Sequence, residues 1–338
     1  MQRKPQKTLQ ILLAALVICI LVSFSLGQYP VPIPSVLGIL GQKLGLPIER
    51  FWSEAMETAL WNIRLPRVIL SVLVGASLAA AGSAYQGVFQ NPMASPDVLG
   101  ASAGAGFGAA LAILMGASSV CIMLGAFVSG MVTVGLVFLV SRYARGDKVL
   151  SLVLSGIMVS TLFQSGTSFL KLVADPGNQL PQITYWLMGS LSGAKWLDVL
   201  FAIIPMVIGW IPLLLLRWQL NVITMGDDEA QTLGVHPQRL RVLIVLCSTL
   251  ITASAVAVSG IIGWVGLVIP HLMRRLSGND YRYLMPASML GGGIFLLVVD
   301  NISRNVTASG IPIGILTAFV GAPFFLWMII GKEARYAH

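Results

Sequence analysis

An all-α polytopic membrane protein with about ten transmembrane helices is the fold class predicted here, and three observations predict it. Hydrophobic residues make up 56% of the 338 and charged ones only 10%, against roughly 25% charged in soluble domains. The mean hydropathy is +0.85. The apolar residues gather into runs of about 18 or more, enough to cross a ~30 Å hydrocarbon layer, and short polar clusters separate them.

In chain order the runs fall at roughly 9–27, 66–88, 98–116, 120–141, 149–172, 196–216, 241–260 and 312–331, with less regular ones at 262–275 and 285–303. The first follows Arg3, Lys4 and Lys7, as a signal peptide would. Its apolar core, Leu9 to Leu26, is too long and no A-x-A-like site follows, so it reads as an uncleaved first span. Two connections are long, Gln28 to Asn62 and Ala174 to Lys195, and their Trp52, Trp61 and Trp186 suit anchoring at the headgroups. The remaining connections are short, so neighbouring helices pack closely in one domain spanning 1–338.

Glycine recurs at helix-packing intervals, as in Gly104 and Gly108 or Gly75 and Ala79. In lipid such small residues let backbones approach, because apolar burial no longer drives helices together. Gly100 to Gly108 lacks the G-x-G-x-x-G spacing of a nucleotide loop and follows no strand pattern. Cys19, Cys121 and Cys247 are isolated within apolar runs, without C-x-x-C spacing, so they read as small core residues rather than a disulfide framework or metal site.

The formal charge of +8 raises nucleic acid as a partner, but the basic residues sit at the ends of apolar runs rather than in one stripe, which is how topology signals are distributed. With the N-terminus in the cytoplasm and ten alternating spans, Arg3, Lys4, Lys7, Arg142, Arg145, Lys148, Arg217, Arg239, Arg241, Arg274, Arg275, Arg282, Lys332 and Arg335 lie inside, 14 of the 21 basic residues. The other seven, Lys43, Arg50, Arg64, Arg67, Lys171, Lys195 and Arg304, lie outside. The bias places both termini in the cytoplasm.

It places Met225 to Val235 there too, a polar island between two apolar runs. The segment reads as a short helix: Gly226 at its start, Asp227, Asp228 and Glu229 in the first turn where the helix dipole favours anions, Gly234 past its end. Pro237 then opens a second short helix, Pro237 to Arg241. No G-x-x-x-x-G-K-[ST] loop occurs, so if ATP powers a transport step here, another subunit must bind it. Nor is there an H-E-x-x-H, Ser/His/Asp or paired-carboxylate arrangement, and neither catalysis nor a cofactor is expected. His271 reads as a structural hydrogen-bonder, Pro270 as a kink or helix start, and Asp300 and Arg304, four apart, as a local pair. Arg64, Arg67 and Arg304 on the outer rim suit an acidic partner.

Seven segments, in order, carry a resemblance: Arg64-Leu-Pro-Arg67, Gly82 to Gln86, Asn91-Pro-Met-Ala-Ser-Pro-Asp-Val-Leu-Gly100, Gly226 to Gly234, Gly266 to His271, Pro312-Ile-Gly314 and Gly321 to Phe325. From about residue 60 onward the chain resembles the FecCD-type permeases, the membrane subunits of binding-protein-dependent ABC importers for iron-siderophore, haem and cobalamin. The resemblance implies a cobalamin-importer-permease-like fold in the cytoplasmic membrane. It implies a homodimer, or a pair with a paralogous permease, that docks on an ABC ATPase dimer and receives cargo from an extracytoplasmic binding protein. By the same resemblance, residues about 220–241, with Gly226, Asp227, Asp228, Glu229, Gln231, Leu233, Gly234 and Pro237, form the coupling helices against the ATPase. Asn91, Pro92 and Met93 match the cytoplasmic gate, with Met93 where the family commonly has Leu. Arg64, Arg67 and Arg304 match the arginines that receive the binding protein. Spans 149–172 and 312–331 would line the pathway at the dimer interface. Ferric siderophore is the expected cargo, with haem, cobalamin or molybdate open. The competing class is an ion-coupled carrier or channel, which intramembrane acids and ligand clusters would favour.

Overall fold

In the computed structural model, which describes residues 5–27, 29–144, 148–307 and 310–336 with side chains as far as Leu326, the chain is a helical bundle without strands among those residues. Of the topology signals, Arg3, Lys4 and Arg145 lie outside the described residues, as does Gln28, and so do the side chains of Lys332 and Arg335. The helices run α1 (Pro5–Ser25), α2 (Ile33–Lys43), α3 (Glu54–Thr58), α4 (Leu65–Val88), α5 (Ala101–Leu114), α6 (Ser119–Tyr143), α7 (Lys148–Val173) and α8 (Gln179–Leu187). They continue with α9 (Trp196–Leu215), α10 (Arg217–Ile223), α11 (Asp227–Thr232), α12 (Pro237–Ser259), α13 (Val265–Ser277), α14 (Tyr281–Val306) and α15 (Ile313–Tyr336). A π-helical turn, Ala59–Arg64, joins α3 to α4, and a 3-10 turn, Pro96–Leu99, precedes α5.

Against the expected ten spans, seven helices among the described residues are long and apolar enough to cross a membrane alone; α5 and the first part of α15 are shorter apolar helices. The 13-residue α13 is shorter still. It is short because the chain breaks after α12 at Gly260, in the left-handed region with φ 68°, and stays irregular to Trp264, also positive at φ 71°. Irregular backbone at membrane depth is tolerated only where protein satisfies it. The turn after α8 braces the helices beside it: Ser190 N donates to Ser259 O, the last residue of α12, at 2.7 Å, and Gly189 O accepts from Ile313 N, the first of α15, at 2.8 Å.

At the centre lies α4, with 83% of its apolar window buried, beside α12 at 72%, whereas α1 and α7 bury only 22% and so form the periphery. Helices reach the centre by backbone contact. A Cβ on Gly75 would strike the carbonyl of Gly292 in α14, one on Gly108 would strike Gly125 O in α6, and one on Gly82 would strike Gly266 O in α13. The glycine spacing in the sequence is therefore a packing device.

Three expectations are corrected here. Pro237 opens no short helix: it is the first residue of the full 23-residue α12, because nothing after Arg241 interrupts the helix before Gly260. Trp52 is buried rather than open to headgroups, packed over Gly38 beside Phe24, Ile39 and Leu60, with its indole N–H 3.4 Å from Glu57. Cys121 is exposed and Cys19 half-buried, leaving Cys247 as the buried cysteine of the three.

Candidate functional site

Two short helices, α10 and α11, form a compact turn at the end of the bundle where α4 also terminates. Gly226 precedes α11 at φ 133°, and the Glu229 carboxylate folds back against it, so a side chain at 226 would collide. At the other end Gly234, φ 77°, closes a Schellman cap: Val235 N donates to Ala230 O at 2.9 Å and Gly234 N to Gln231 O at 3.0 Å. Asp228, Glu229, Gln231 and Leu233 are exposed and Pro237 is buried. Leu233 and Met225 are apolar yet 53% and 65% exposed, giving the surface acids with two hydrophobic knobs beside them.

Asp227 points the other way. Both its oxygens accept from Arg241 of α12, at 2.7 and 2.6 Å, a bidentate pair. Arg241 is itself buried, and its Nε reaches Val88 O, the last residue of α4, at 3.4 Å. Two residues on, Gln90 adopts φ 49°, unusual for a residue with a Cβ. It is the left-handed cap of α4: Gln90 N donates to Gly87 O and Asn91 N to Gln86 O, each 3.2 Å. Its side-chain amide donates to Ile223 O, the end of α10, at 2.8 Å. Gln86 accepts from Arg274 at 3.0 Å, and the same Arg274 nitrogen donates to Tyr281 Oη. Asn221 of α10 completes the set, donating to Asp280 at 2.7 Å and accepting from Tyr281 N at 2.8 Å. The Arg282 guanidinium beside Asp280 holds that carboxyl down at about 2.

The loop that follows α4 carries Asn91, Pro92 and Met93, all exposed, with Asn91 Oδ1 accepting from Met93 N at 2.9 Å. A cavity of about 550 Å³ opens between Phe89, Gln90, Lys148, Asp227 and Arg241. Sequence reasoning picked out Asn91 to Met93 and the α11 segment but missed Gln90, Asn221 and Asp280, and it treated Arg241 only as a topology charge. The partners that Arg241, Gln90 and Asn221 take lie from 14 to 153 residues away, and no local pattern marks them.

The three arginines at the opposite end are brought together, and inward. Arg64 is buried and donates to the carbonyls of Phe24 and Tyr29. Arg67 Nε donates to Asp300 at 2.8 Å, and Asp300 is fully buried. Arg304 lies 3.8 Å from Asp300 and donates to Ser23 O at 2.8 Å. The side chains of Arg67 and Arg304 are 14% and 10% exposed, so only their edges are open to a partner. The local pairing of Asp300 with Arg304 is present, but Arg67 of another helix is nearer. His271 lies near Phe324, ring centroids 6.3 Å apart. Between the α8 end, the 261–264 segment and α15 lies a second cavity of about 640 Å³, lined by Met188, Ile261, Trp264, Ile315 and Phe319 and by no charged side chain. Among the described residues no group of three or more His, Cys, Asp or Glu is placed to hold a metal ion.

A bundle with seven helices long and apolar enough to cross a membrane defines a multi-pass membrane protein, and comparison with known proteins says of which kind. The model of the FecCD transport family matches residues 15–331. The molybdate import system permease protein MolB of Haemophilus influenzae is 39% identical over 311 residues, 92% of this chain and 91% of that protein. The hemin transport system permease protein HmuU of Yersinia pestis is 38% identical over 86% of this chain and 90% of its own. A solved inward-facing ABC transporter described as of metal-chelate type superposes with a TM-score of 0.86 at 36% identity, over 97% of this chain and 99% of that one. The chain belongs to the FecCD transport family, and its relatives are permease subunits of ABC importers.

Proposed function

We propose that this chain is the cytoplasmic-membrane permease of an importer for an iron chelate, a ferric siderophore before haem, cobalamin or molybdate, working as a pair of permeases on a separate ATPase dimer. The observation that carries the reading is α11, closed at its C-terminal end by the Gly234 cap and presenting Asp228, Glu229, Met225 and Leu233 while Asp227 is held by Arg241. A rigid, capped helix pair transmits a push better than a loose loop. In this scheme α10 and α11 face the cytoplasm and seat in the ATPase, and Asn91 to Met93 form the gate beside them.

The opposite end receives a substrate-binding protein. A carboxylate of that protein meets only the edges of Arg67 and Arg304 and competes there with Asp300. The apolar second cavity supports a cargo whose metal charge is already wrapped by its ligands, since an uncharged lining desolvates a bare oxyanion at high cost.

The test is uptake into proteoliposomes that contain this chain, its ATPase and its binding protein, with ferric siderophore, haem, cobalamin and molybdate supplied in separate arms. ATP-dependent uptake of the iron chelate is expected. Uptake by this chain alone, driven by an ion gradient, would sink the importer reading in favour of a carrier.

A further inference from the structure

We infer that Arg241 and Gln90 form a clasp that makes the ATPase-facing helices and the end of α4 one mechanical body, so that movement of α11 is delivered to the Asn91–Met93 loop. The inference rests on the proposed docking of α10 and α11 to an ATPase and deepens it by naming the residues that carry the motion.

Two independent links make the clasp. Arg241 holds Asp227, the first residue of α11, through both carboxylate oxygens and reaches Val88 O at the last turn of α4. An arginine serves here because its planar fork engages two oxygens in a fixed geometry, while its remaining nitrogen points elsewhere. Gln90 ties the other short helix, donating to Ile223 O at the end of α10. The two links lie on either side of the α10–α11 turn, so that turn cannot swing without pulling on residues 88–90.

The backbone at Gln90 argues that its side chain is there for this purpose. The left-handed cap position usually carries glycine, because a Cβ there costs about 1 kcal/mol or more. Conformations of that sort persist where the surroundings over-determine them, and they gather at switch regions. Here the surroundings are the bond to Ile223. Asn91 follows directly, so the strained residue stands between the clasp and the proposed gate. The 550 Å³ cavity lined by Phe89, Gln90, Asp227 and Arg241 lies beside the clasp.

The experiment uses the full complex of this chain with its ATPase in nanodiscs, and needs no knowledge of the cargo. Met93→Cys is introduced after Cys19, Cys121 and Cys247 are changed to Ala, and its rate of reaction with a maleimide is compared before and after trapping with ATP and vanadate. In this parent, nucleotide trapping is expected to change the labelling rate. In Gln90→Gly, which relieves the backbone but removes the link, and in Arg241→Lys, which keeps the charge but not the fork, the nucleotide-dependent change should fall about tenfold, equivalent to about 1.4 kcal/mol of lost coupling. The ATPase should still co-purify with both variants. Variants that respond to nucleotide as the parent does would overturn the clasp and leave docking standing. Variants that lose the ATPase would overturn it too, by making these residues part of the contact itself. A parent that binds no ATPase would defeat the docking reading and the clasp with it.

Discussion

Arg67 Nε donates to Asp300 Oδ1 at 2.8 Å, joining the first turn of α4 to the far part of α14 across a carboxylate with no solvent exposure. Arg304 faces the same carboxylate from 3.8 Å, so Asp300 is the counter-ion of both arginines. Breaking a buried pair from one side leaves an uncompensated charge and typically costs about 3–5 kcal/mol. Asp300→Ala should therefore lower the detergent-solubilised Tm sharply, while Arg67→Leu combined with Asp300→Leu should lower it less than the two single changes summed. A double-mutant cycle by thermal unfolding reads this directly.

Charge reversal on α11 should split by residue. Asp228→Lys and Glu229→Lys act on exposed groups and should weaken ATPase co-purification, more at low salt than at high, as screening requires. Asp227→Lys instead faces Arg241 and should loosen α11 itself, seen as faster hydrogen exchange over 226–234. Equal effects from all three would contradict a structural role for the pairing of Asp227 with Arg241.

Backbone contact between α4 and α14 predicts intolerance at Gly75. A methyl group there meets the Gly292 carbonyl and the Cβ of Leu296. Overpacking of this kind costs about 1–3 kcal/mol or more, so Gly75→Ala should reduce the folded yield measured by size-exclusion fluorescence, whereas Gly135→Ala, with open space around it, should not.

The Asp280 link has a defined pH window. Arg282 and Asn221 favour the carboxylate and hold it down at about 2, below an ordinary value near 3.9. A lowered pKa means that the stabilisation is fully present above about 4 and is lost as pH falls through about 2. The packing of α10 on α14 should thus be insensitive between pH 5 and 9, and Asp280→Asn should abolish only the acid-induced change in hydrogen exchange over 217–223.

Much of the fold was legible because it is local. Run length and the absence of charge located α1, α4, α6, α7, α9, α12 and α14, and Gly226 and Gly234 marked both ends of α11. Trp52 was misplaced because an aromatic in a polar connection looks interfacial whether it faces lipid or folds back under α2. Arg64, a basic residue at a helix start, shows its charge in the sequence but not the carbonyls of Phe24 and Tyr29 to which it donates.

By itself, the sequence determined that this chain is a membrane bundle, where its helices lie and that a capped acidic helix interrupts them, because hydrophobic transfer and helix capping act over neighbouring residues. Only the tertiary structure decided which charge meets which. Asp227 turns to Arg241, Gln90 to Ile223 and Arg67 to Asp300 across separations of 14, 133 and 233 residues. Such pairs depend on how the helices pack, because a polar group inside an apolar bundle takes whichever partner the packing puts within reach.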